Sequence, residues 1–472
     1  MGARLTARRS RLQAWPERAV GPDLAPDGGV VLAARLAFRP YEVPVSRELA
    51  LLSTWTGDAR RRTLDLLRSL REDQLLGPRL AIVNPPLWEL GHVAWFQERW
   101  VLRHAAGRAS LRADADALYD SIAIPHDTRW SLPLPSLEET AAYLRAASAA
   151  VLEAAPGLPE RDRYFLELAV LHEDMHAEAM AFSRQTLEWA APSLSGLAEV
   201  RAGAGDLPGD ARVPGGTFTL GSTPDEPFVF DNEQWAHEVQ LAPFAISRAP
   251  VTQAAYAAFV DEGGYRRREL WSEAGWAWRS AAGAEAPPYW RRDGRAWLRR
   301  DFDRWVPLEP HRPVVNVSLH EAEAFCRFAR RRLPTEAEWE AAAAGEPGPG
   351  GRLAPRKRRF PWGDAAPTPE RAHLDFRALH AVDVGALPAG DSAFGCRQMI
   401  GNVWEWTASP FLPYAGFSPG PYKEYSEPWF RTHQVVRGGS FATTSRLVRN
   451  GFRNFYEPHR RDPWIGFRTC AP

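Results

Sequence analysis

The residues best placed to do chemistry are His172 and His176, within the stretch ELAVLHEDMHAEAMAF at 167–182. A helix turns about 100° per residue, so the two imidazoles lie about 40° apart on one face, shared with Met175 and Ala179. Neutral imidazoles one turn apart make a bidentate pair for a borderline metal such as Fe(II) or Zn(II). The same stretch carries Leu168, Leu171 and Phe182, so it also reads as a buried helix. A third ligand has to come from another helix. His92 is the candidate, because Trp88, Trp95 and Phe96 put it on the core-facing side of its own segment. On spacing alone the pair reads equally as a chelate or as two hydrogen-bonded packing residues, and His92 by itself reads as packing. Glu178 completes an HxxxHxE string but falls roughly 120° from the ligand face, which assigns it a supporting or structural role.

Helices must hold these groups, and residues 46–190 supply four. SRELALLSTWTGDARRRTLDLLRSL has leucines at helical spacing with Arg and Asp opposite. PPLWELGHVAWFQERWVLRHA at 85–105 opens on prolines, where a first turn tolerates them. PSLEETAAYLRAASAAVLEAA has Ser136 as its N-cap, with acids in the first turn. With the histidine helix at about 161–189 they predict an up-down bundle. The link at 106–134 is longer and holds YDSIAIPHDTRW, polar enough for a functional loop.

Composition then changes. A Gly/Ala/Pro/Ser-rich linker at 191–212 leads into short strands, glycine turns and tryptophans. VPGGTFTLGS predicts strand–turn–strand, and VTQAAYAAFVDEGG, SLHEAEAFCRFARRR and LPTEAEWEAAAAG predict helices, the last with a Thr335/Glu338 capping box. The expected architecture is α+β and multidomain: an N-terminal arm at 1–45, the bundle at 46–190, the linker at 191–212 and a second domain at 213–472. At 472 residues the chain exceeds one ordinary core. Lys+Arg and Asp+Glu balance at 58 each, which argues against nucleic-acid or membrane-surface partners driven by net charge. Three isolated cysteines, Cys326, Cys396 and Cys470, predict neither a disulfide framework nor a thiolate metal site. No apolar run approaches the roughly 20 residues of a membrane span. The Arg-rich N-terminus has no apolar core of a signal peptide, so the expected location is the cytoplasm.

From 213 to 468 the phrases VPGGTFTLGS, PVTQAAYAAFV, RPVVNVSLHEAEAFCRFARRRLPTEAEWEAAA, FPWGD, GNVWEWT, VVRGGSF and GFR run in one order. Together they resemble the formylglycine-generating-enzyme/sulfatase-modifying domain, a C-type-lectin-like fold. Formylglycine enzymes need a cysteine pair near their active site, and none stands around GFRNFYEPHRR. The helical half, with GHVAWF and HEDMHAE, resembles the DinB-like four-helix bundle. The fusion in this order, with FVFDNEQWAHEV and YKEYSEPWF, resembles the hercynine-oxidising family: the non-haem iron sulfoxide synthases of ergothioneine biosynthesis and their relative, selenoneine synthase.

That resemblance implies an Fe(II) centre held by His92, His172 and His176, O2 as co-substrate, and small-molecule partners. It places hercynine between the domains, with Asn454 and Phe455 matching positions on its trimethylammonium side; a quaternary ammonium has only aromatic faces and carbonyl dipoles to use. Three departures bear on the second substrate. Met175 stands where ergothioneine enzymes often carry Gln. Tyr456 replaces an acid used on the amine of γ-glutamylcysteine. The LYDSIAIPHDTRW loop lacks the arginine pattern that serves the thiol's carboxylates, and resembles that of the selenoneine synthases, which join hercynine to a selenosugar. Asp127, Arg129, Trp130 and Tyr456 suit hydroxyl bonding and stacking. Arg460 matches a family arginine that serves either substrate. A tyrosine near the iron acts as proton or electron donor in the sulfoxide synthases, with Tyr422, Tyr425 and Tyr456 as candidates. The expected activity is formation of a C–Se bond at imidazole C2 of hercynine. The rivals are a sulfoxide synthase using cysteine or γ-glutamylcysteine, a zinc-dependent DinB-type thiol transferase without O2, and a non-catalytic lectin-like module.

Overall fold

A computed structural model describes residues 48–198, 200 and 203–472, and these lie in one compact unit. The N-terminal arm expected at 1–45 lies outside the described residues. Four long helices form the bundle: α1 (Leu49–Arg68), α2 (Pro86–Gln97), α4 (Leu137–Ala154) and α5 (Arg163–Thr186), with a short α3 (Ala115–Tyr119) in the link between α2 and α4. Ser136 caps α4 as expected, accepting from the Glu139 amide at 3.2 Å while Glu139 reaches back to the Ser136 amide at 2.9 Å. Pro86 opens α2, where its fixed φ suits the first turn and no intrahelical N–H is lost. Helix α2 packs against both α4 and α5 and is buried along its whole length. Beyond it the chain widens into a π-helical turn, Glu98–Ala105, closed by the Ala106 amide on the Val101 carbonyl at 2.9 Å. π-Helical turns are rare and cluster at functional sites.

The C-terminal half holds four small sheets. β1 (Asp210–Val213) pairs with β4 (Phe244–Ser247), and β2 (Gly216–Leu220) pairs with β3 (His237–Leu241). VPGGTFTLGS is therefore two strands around a turn, but they do not pair with each other. At Gly215 the chain passes the Leu241 carbonyl so closely that a Cβ would stand 2.6 Å from its oxygen. The largest sheet has the order β10 (Asn454–Tyr456), β9 (Gln434–Arg437), β8 (Trp404–Pro410), β11 (Ile465–Gly466); only β8–β11 is parallel. Helices α6 (Gln253–Asp261), α8 (Leu319–Phe328) and α9 (Glu336–Ala344) fall on the three predicted segments, and the Thr335/Glu338 capping box is present. Helix α7 (Glu273–Ala281) and the β5–β6–β7 meander (Trp290–Asp293, Ala296–Asp301, Arg304–Pro307) were not predicted. Their signals were short: Ser272 caps α7 through the Gly275 amide, and the hairpin turns sit inside Arg/Trp-rich strands without clean alternation.

Helix α5 joins the two halves. On one side it meets α1 and α2. On the other, Glu178 accepts from Trp404 Nε1 (2.8 Å), Ser440 Oγ (2.6 Å) and Thr443 Oγ1 (2.7 Å). Asp174 is gripped by Arg446 at 2.6 and 2.7 Å, by Arg62 at 3.1 Å and by Thr444 at 3.0 Å. The hydrophobic core runs through this contact, from Leu168 and Phe182 of the bundle to Trp404, Phe441 and Trp464.

Candidate metal centre

Helices α2 and α5 bring His92, His172 and His176 together, with one ligand atom from each ring lying within 4.8 Å of the others. His172 Nε2 and His176 Nε2 are 3.2 Å apart, and the His92 ring centroid lies 5.1 and 4.8 Å from theirs. His92 and His172 are buried and His176 is partly exposed, so the cluster opens on the His176 side.

The rings are oriented from behind. His92 Nδ1–H donates to the Tyr119 carbonyl at 2.8 Å, and His176 Nδ1–H donates to the Glu89 carboxylate. These partners assign the tautomers and leave both Nε2 lone pairs free. His172 lies flat on Phe96, 3.6 Å between centroids and 6° between planes, and its Nδ1 is buried without a partner. Burial, then the neighbouring His176 charge, push the His92 pKa down to about 3 and that of His172 well below the ordinary imidazole value. Both rings are neutral at physiological pH, the state in which imidazole binds metal. Burial opposes the charge of Glu89, but His176, His92 and the Asn84 amide outweigh it and hold the carboxyl at about 2. Three converging imidazole nitrogens, two from rings with oriented Nδ1 groups and no carboxylate among them, fit a divalent iron or zinc ion.

Aromatic side chains pack beside the cluster on its His172 and Met175 side. Tyr422 stands edge-on to Phe96 (5.0 Å) and His172 (6.3 Å). Tyr425 donates its hydroxyl to Met175 Sδ at 3.6 Å and stacks on Phe230 at 4.4 Å. Phe455 stacks on Phe411 at 4.0 Å and meets Tyr425 at 5.8 Å. Asn454 begins β10, and its Oδ1 accepts from the Phe455 amide at 2.8 Å. Tyr456 ends β10, with the Arg460 guanidinium 5.7 Å from its ring. Arg460 itself is held in two-point contact by Asp462, at 2.6 and 2.5 Å. Burial raises the hydroxyl pKa values of Tyr422, Tyr425 and Tyr456, so all three are O–H groups at neutral pH.

Met175, Tyr422 and Tyr425 therefore gather beside the histidines, with Phe455 next to Tyr425. The residues expected from the PHDTRW loop do not. Asp127 is exposed and pairs with Arg79 at 2.9 Å; Trp130 donates to the Leu76 and Gly77 carbonyls at 3.0 and 3.2 Å. Neither touches the histidines. Arg129 is buried behind the cluster with its guanidinium 3.9 Å from the Trp88 ring, placed there because the loop folds back over α2. The reading of single residues missed Glu89 and the Tyr119 carbonyl. Glu89 was findable: it stands three positions before His92, so WELGH puts an acid and an imidazole on one helical face.

Fold and site define the class: a DinB-like helical bundle fused to a C-type-lectin-like sulfatase-modifying domain. Residues 56–191 match the DinB superfamily and residues 197–471 match the sulfatase-modifying factor enzyme 1-like domain. The chain is 40% identical to a hercynine oxygenase of Mycolicibacterium thermoresistibile over 441 residues, covering 91% of this chain and 95% of that one. It is 39% identical to the hercynine oxygenase of Mycobacterium tuberculosis over 418 residues, covering 87% and 96%. A formylglycine-generating enzyme of Streptomyces coelicolor is 33% identical over 312 residues, covering 60% of this chain and 95% of that one. The chain belongs to the hercynine oxygenase family.

Proposed function

We propose that this protein is a non-haem Fe(II), O2-dependent oxygenase that joins imidazole C2 of hercynine to the selenium of a selenosugar. The hercynine oxygenases at about 40% identity over nine tenths of the chain support the oxygenase class and its substrate. The three-histidine cluster supports a divalent metal held by His92, His172 and His176. Iron, when bound there, supplies redox chemistry with O2 next to the two substrates.

The chain's own residues bind and orient. Phe455, with Asn454 behind it, offers an aromatic face to the trimethylammonium group. Tyr425 and Tyr422 hold hydroxyl protons beside Met175 and His172, available to a developing negative charge. The observation that carries the selenosugar reading is Arg460. Its guanidinium is engaged by the Asp462 carboxylate through Nε and Nη2, which leaves less of it for an amino-acid carboxylate than an unpaired arginine would offer. Met175, facing Tyr425 through sulfur, likewise adds an apolar, polarisable wall in place of an amide. A neutral polyol donor suits this lining. Tyr456 is kept as a hydroxyl partner for it.

Formylglycine chemistry, the activity in the Streptomyces relative's name, has no exposed cysteine pair to use here. Cys326, Cys396 and Cys470 are buried and free, and burial pushes Cys396 and Cys470 up to about 11 and 12. We place the protein in the cytoplasm, with small molecules as its substrates. We place the domain boundaries at 190 and 213; helix α5 has ended at Thr186, and β1 already begins at Asp210, in the last residues of the linker.

The test is a competition assay on Fe(II)-loaded protein in air, offering hercynine with a selenosugar, cysteine or γ-glutamylcysteine and reading products by mass spectrometry. A selenium isotope pattern on the hercynine product, with little sulfoxide, is expected. Efficient hercynyl sulfoxide formation would replace the selenosugar with a thiol. Turnover without O2 would point to a transferase.

A further inference from the structure

We infer that Arg129 is a positioning residue for the metal centre, acting on His176 through Asn84 and Glu89 and on His92 through Trp88. The inference rests on the metal reading above. It moves Arg129, and the α3-to-131 segment that carries it, from the substrate to the back of the ligand set.

The first branch is a chain of hydrogen bonds. Arg129 Nη1 donates to Asn84 Oδ1 at 2.7 Å. Asn84 Nδ2 donates to Glu89 Oε1 at 2.5 Å. The other oxygen of Glu89 accepts from His176 Nδ1. The amide of Asn84 can point only one way, because its oxygen meets a guanidinium and its nitrogen meets a carboxylate. The polarity of the chain is thereby set, and Glu89 must present an acceptor to His176.

The second branch is a stack. The Arg129 guanidinium lies 3.9 Å from the Trp88 ring, and Trp88 lies 4.8 Å from His92 with 11° between planes. Trp88 cannot turn, because its Nε1 donates to the Leu118 carbonyl at 2.8 Å. The next carbonyl, Tyr119, takes the proton of His92. The segment can approach α2 this closely only because residue 91 is glycine: a Cβ there would stand 2.1 Å from the Tyr119 ring. Arg129 Nη2 in turn holds the Ser121 carbonyl at 3.1 Å.

Arg129 is a buried cation, 8% exposed, and the charge that acts on it is that of Glu89, reached through Asn84. A lone buried charge is costly unless hydrogen-bonded; here Nη1 leads to Asn84 and the histidine support, Nη2 holds the loop's own Ser121 carbonyl, and Nε is left without a partner. The arrangement also grades the three ligands. His176 has a carboxylate behind it, His92 a neutral carbonyl, His172 nothing. An acceptor on Nδ1 fixes the ring and raises its basicity, and losing such a partner typically costs about 10- to 100-fold in metal affinity.

The test measures Co(II) affinity of the full-length protein by titration and chelator competition, with apo-protein melting and donor KM in parallel. Glu89→Gln, which keeps shape and loses charge, is expected to weaken Co(II) binding about 10- to 100-fold. Arg129→Met, which keeps a stem over Trp88, is expected to weaken it several-fold, with donor KM unchanged. Arg129 and Glu89 lie on one chain, so the double variant should bind little worse than Glu89→Gln alone. An unchanged Co(II) affinity in Glu89→Gln, or a raised donor KM with unchanged Co(II) affinity in Arg129→Met, overturns the inference. If Arg129→Met does not fold, Asn84→Ala breaks the same chain and must weaken Co(II) binding. Wild-type protein that binds neither Co(II) nor Fe(II) at micromolar concentration removes the metal reading and this inference with it, whereas wild-type binding with unaffected variants removes this inference alone.

Discussion

Helix α5 carries polar groups on two sides, and the two sides are built differently. Toward the C-terminal half, every oxygen of Glu178 and Asp174 is matched: Glu178 by one indole and two hydroxyls, Asp174 by two guanidiniums and a hydroxyl. Toward α2, His172 Nδ1 is buried and unmatched, and the Nε2 atoms of His172 and His176 find only each other. A buried polar group that serves stability is satisfied; one left with a lone pair aimed into a cluster costs stability and is kept for what it binds. The same contrast separates the cluster from His373, a buried histidine of the C-terminal half whose Nε2–H donates to the His380 carbonyl at 3.0 Å while its ring stacks near Phe441.

The contrast breaks most visibly if the unmatched side is removed. His172→Ala should lower metal affinity by roughly a hundredfold or more, beyond the range of losing a supporting group. Its apo-protein melting temperature should stay within a few degrees of wild type. A large drop in apo stability would make His172 a packing residue. On the matched side the effect should be the reverse. Glu178→Ala leaves the Trp404, Ser440 and Thr443 donors buried without an acceptor, and should cost about 3 kcal/mol or more in denaturant unfolding. Metal affinity normalised to folded protein should change little.

Acid provides a smaller, graded test. Burial holds His373 at about 4, opposed only by its hydrogen bond to the His380 carbonyl, against an unfolded value of 6.5. Between those values the unfolded chain binds a proton that the folded one does not, so stability falls as pH drops from 6.5 to 4, by up to about 1.4 kcal/mol per pH unit. His373→Gln should flatten that part of the pH–stability curve; an unaltered slope would show that the ring is not held neutral. The smallest change expected is at Met175. Replacing its thioether by an amide, Met175→Gln, should shift product ratios a few-fold from a selenosugar toward a thiol donor in direct competition. An unshifted ratio would remove Met175 from donor selection.

The bundle was legible because its helices carry their own instructions: the period of leucines, Ser136 with Glu139, Pro86 at a first turn. The histidines could be paired from spacing, since i and i+4 share a face whatever surrounds them. The small sheets were less legible. β1 and β2 are adjacent in sequence yet pair with β4 and β3, a choice made by the close pass at Gly215 and by strands tens of residues away. The partners of the PHDTRW loop could not be read from its residue types. Its Asp, Arg and Trp are the right types for a sugar, but Asp127 meets Arg79, Trp130 meets the 76–77 turn, and Arg129 lies under Trp88.

What the sequence determined by itself was local and periodic: four helices, a His172/His176 pair on one face, His92 on the buried face of another, and Glu178 off the ligand face. Those follow from about 100° per residue and from where apolar side chains must go. Only the tertiary structure decided which lone pairs are free. That Glu89 and the Tyr119 carbonyl take the Nδ1 protons, that Arg460 is already matched by Asp462, and that Glu178 faces Trp404 and not the histidines, all depend on groups far apart in the chain. Hydrogen bonds are short and directional, so their partners are chosen by the packing of whole elements and leave no periodic trace in the residues themselves.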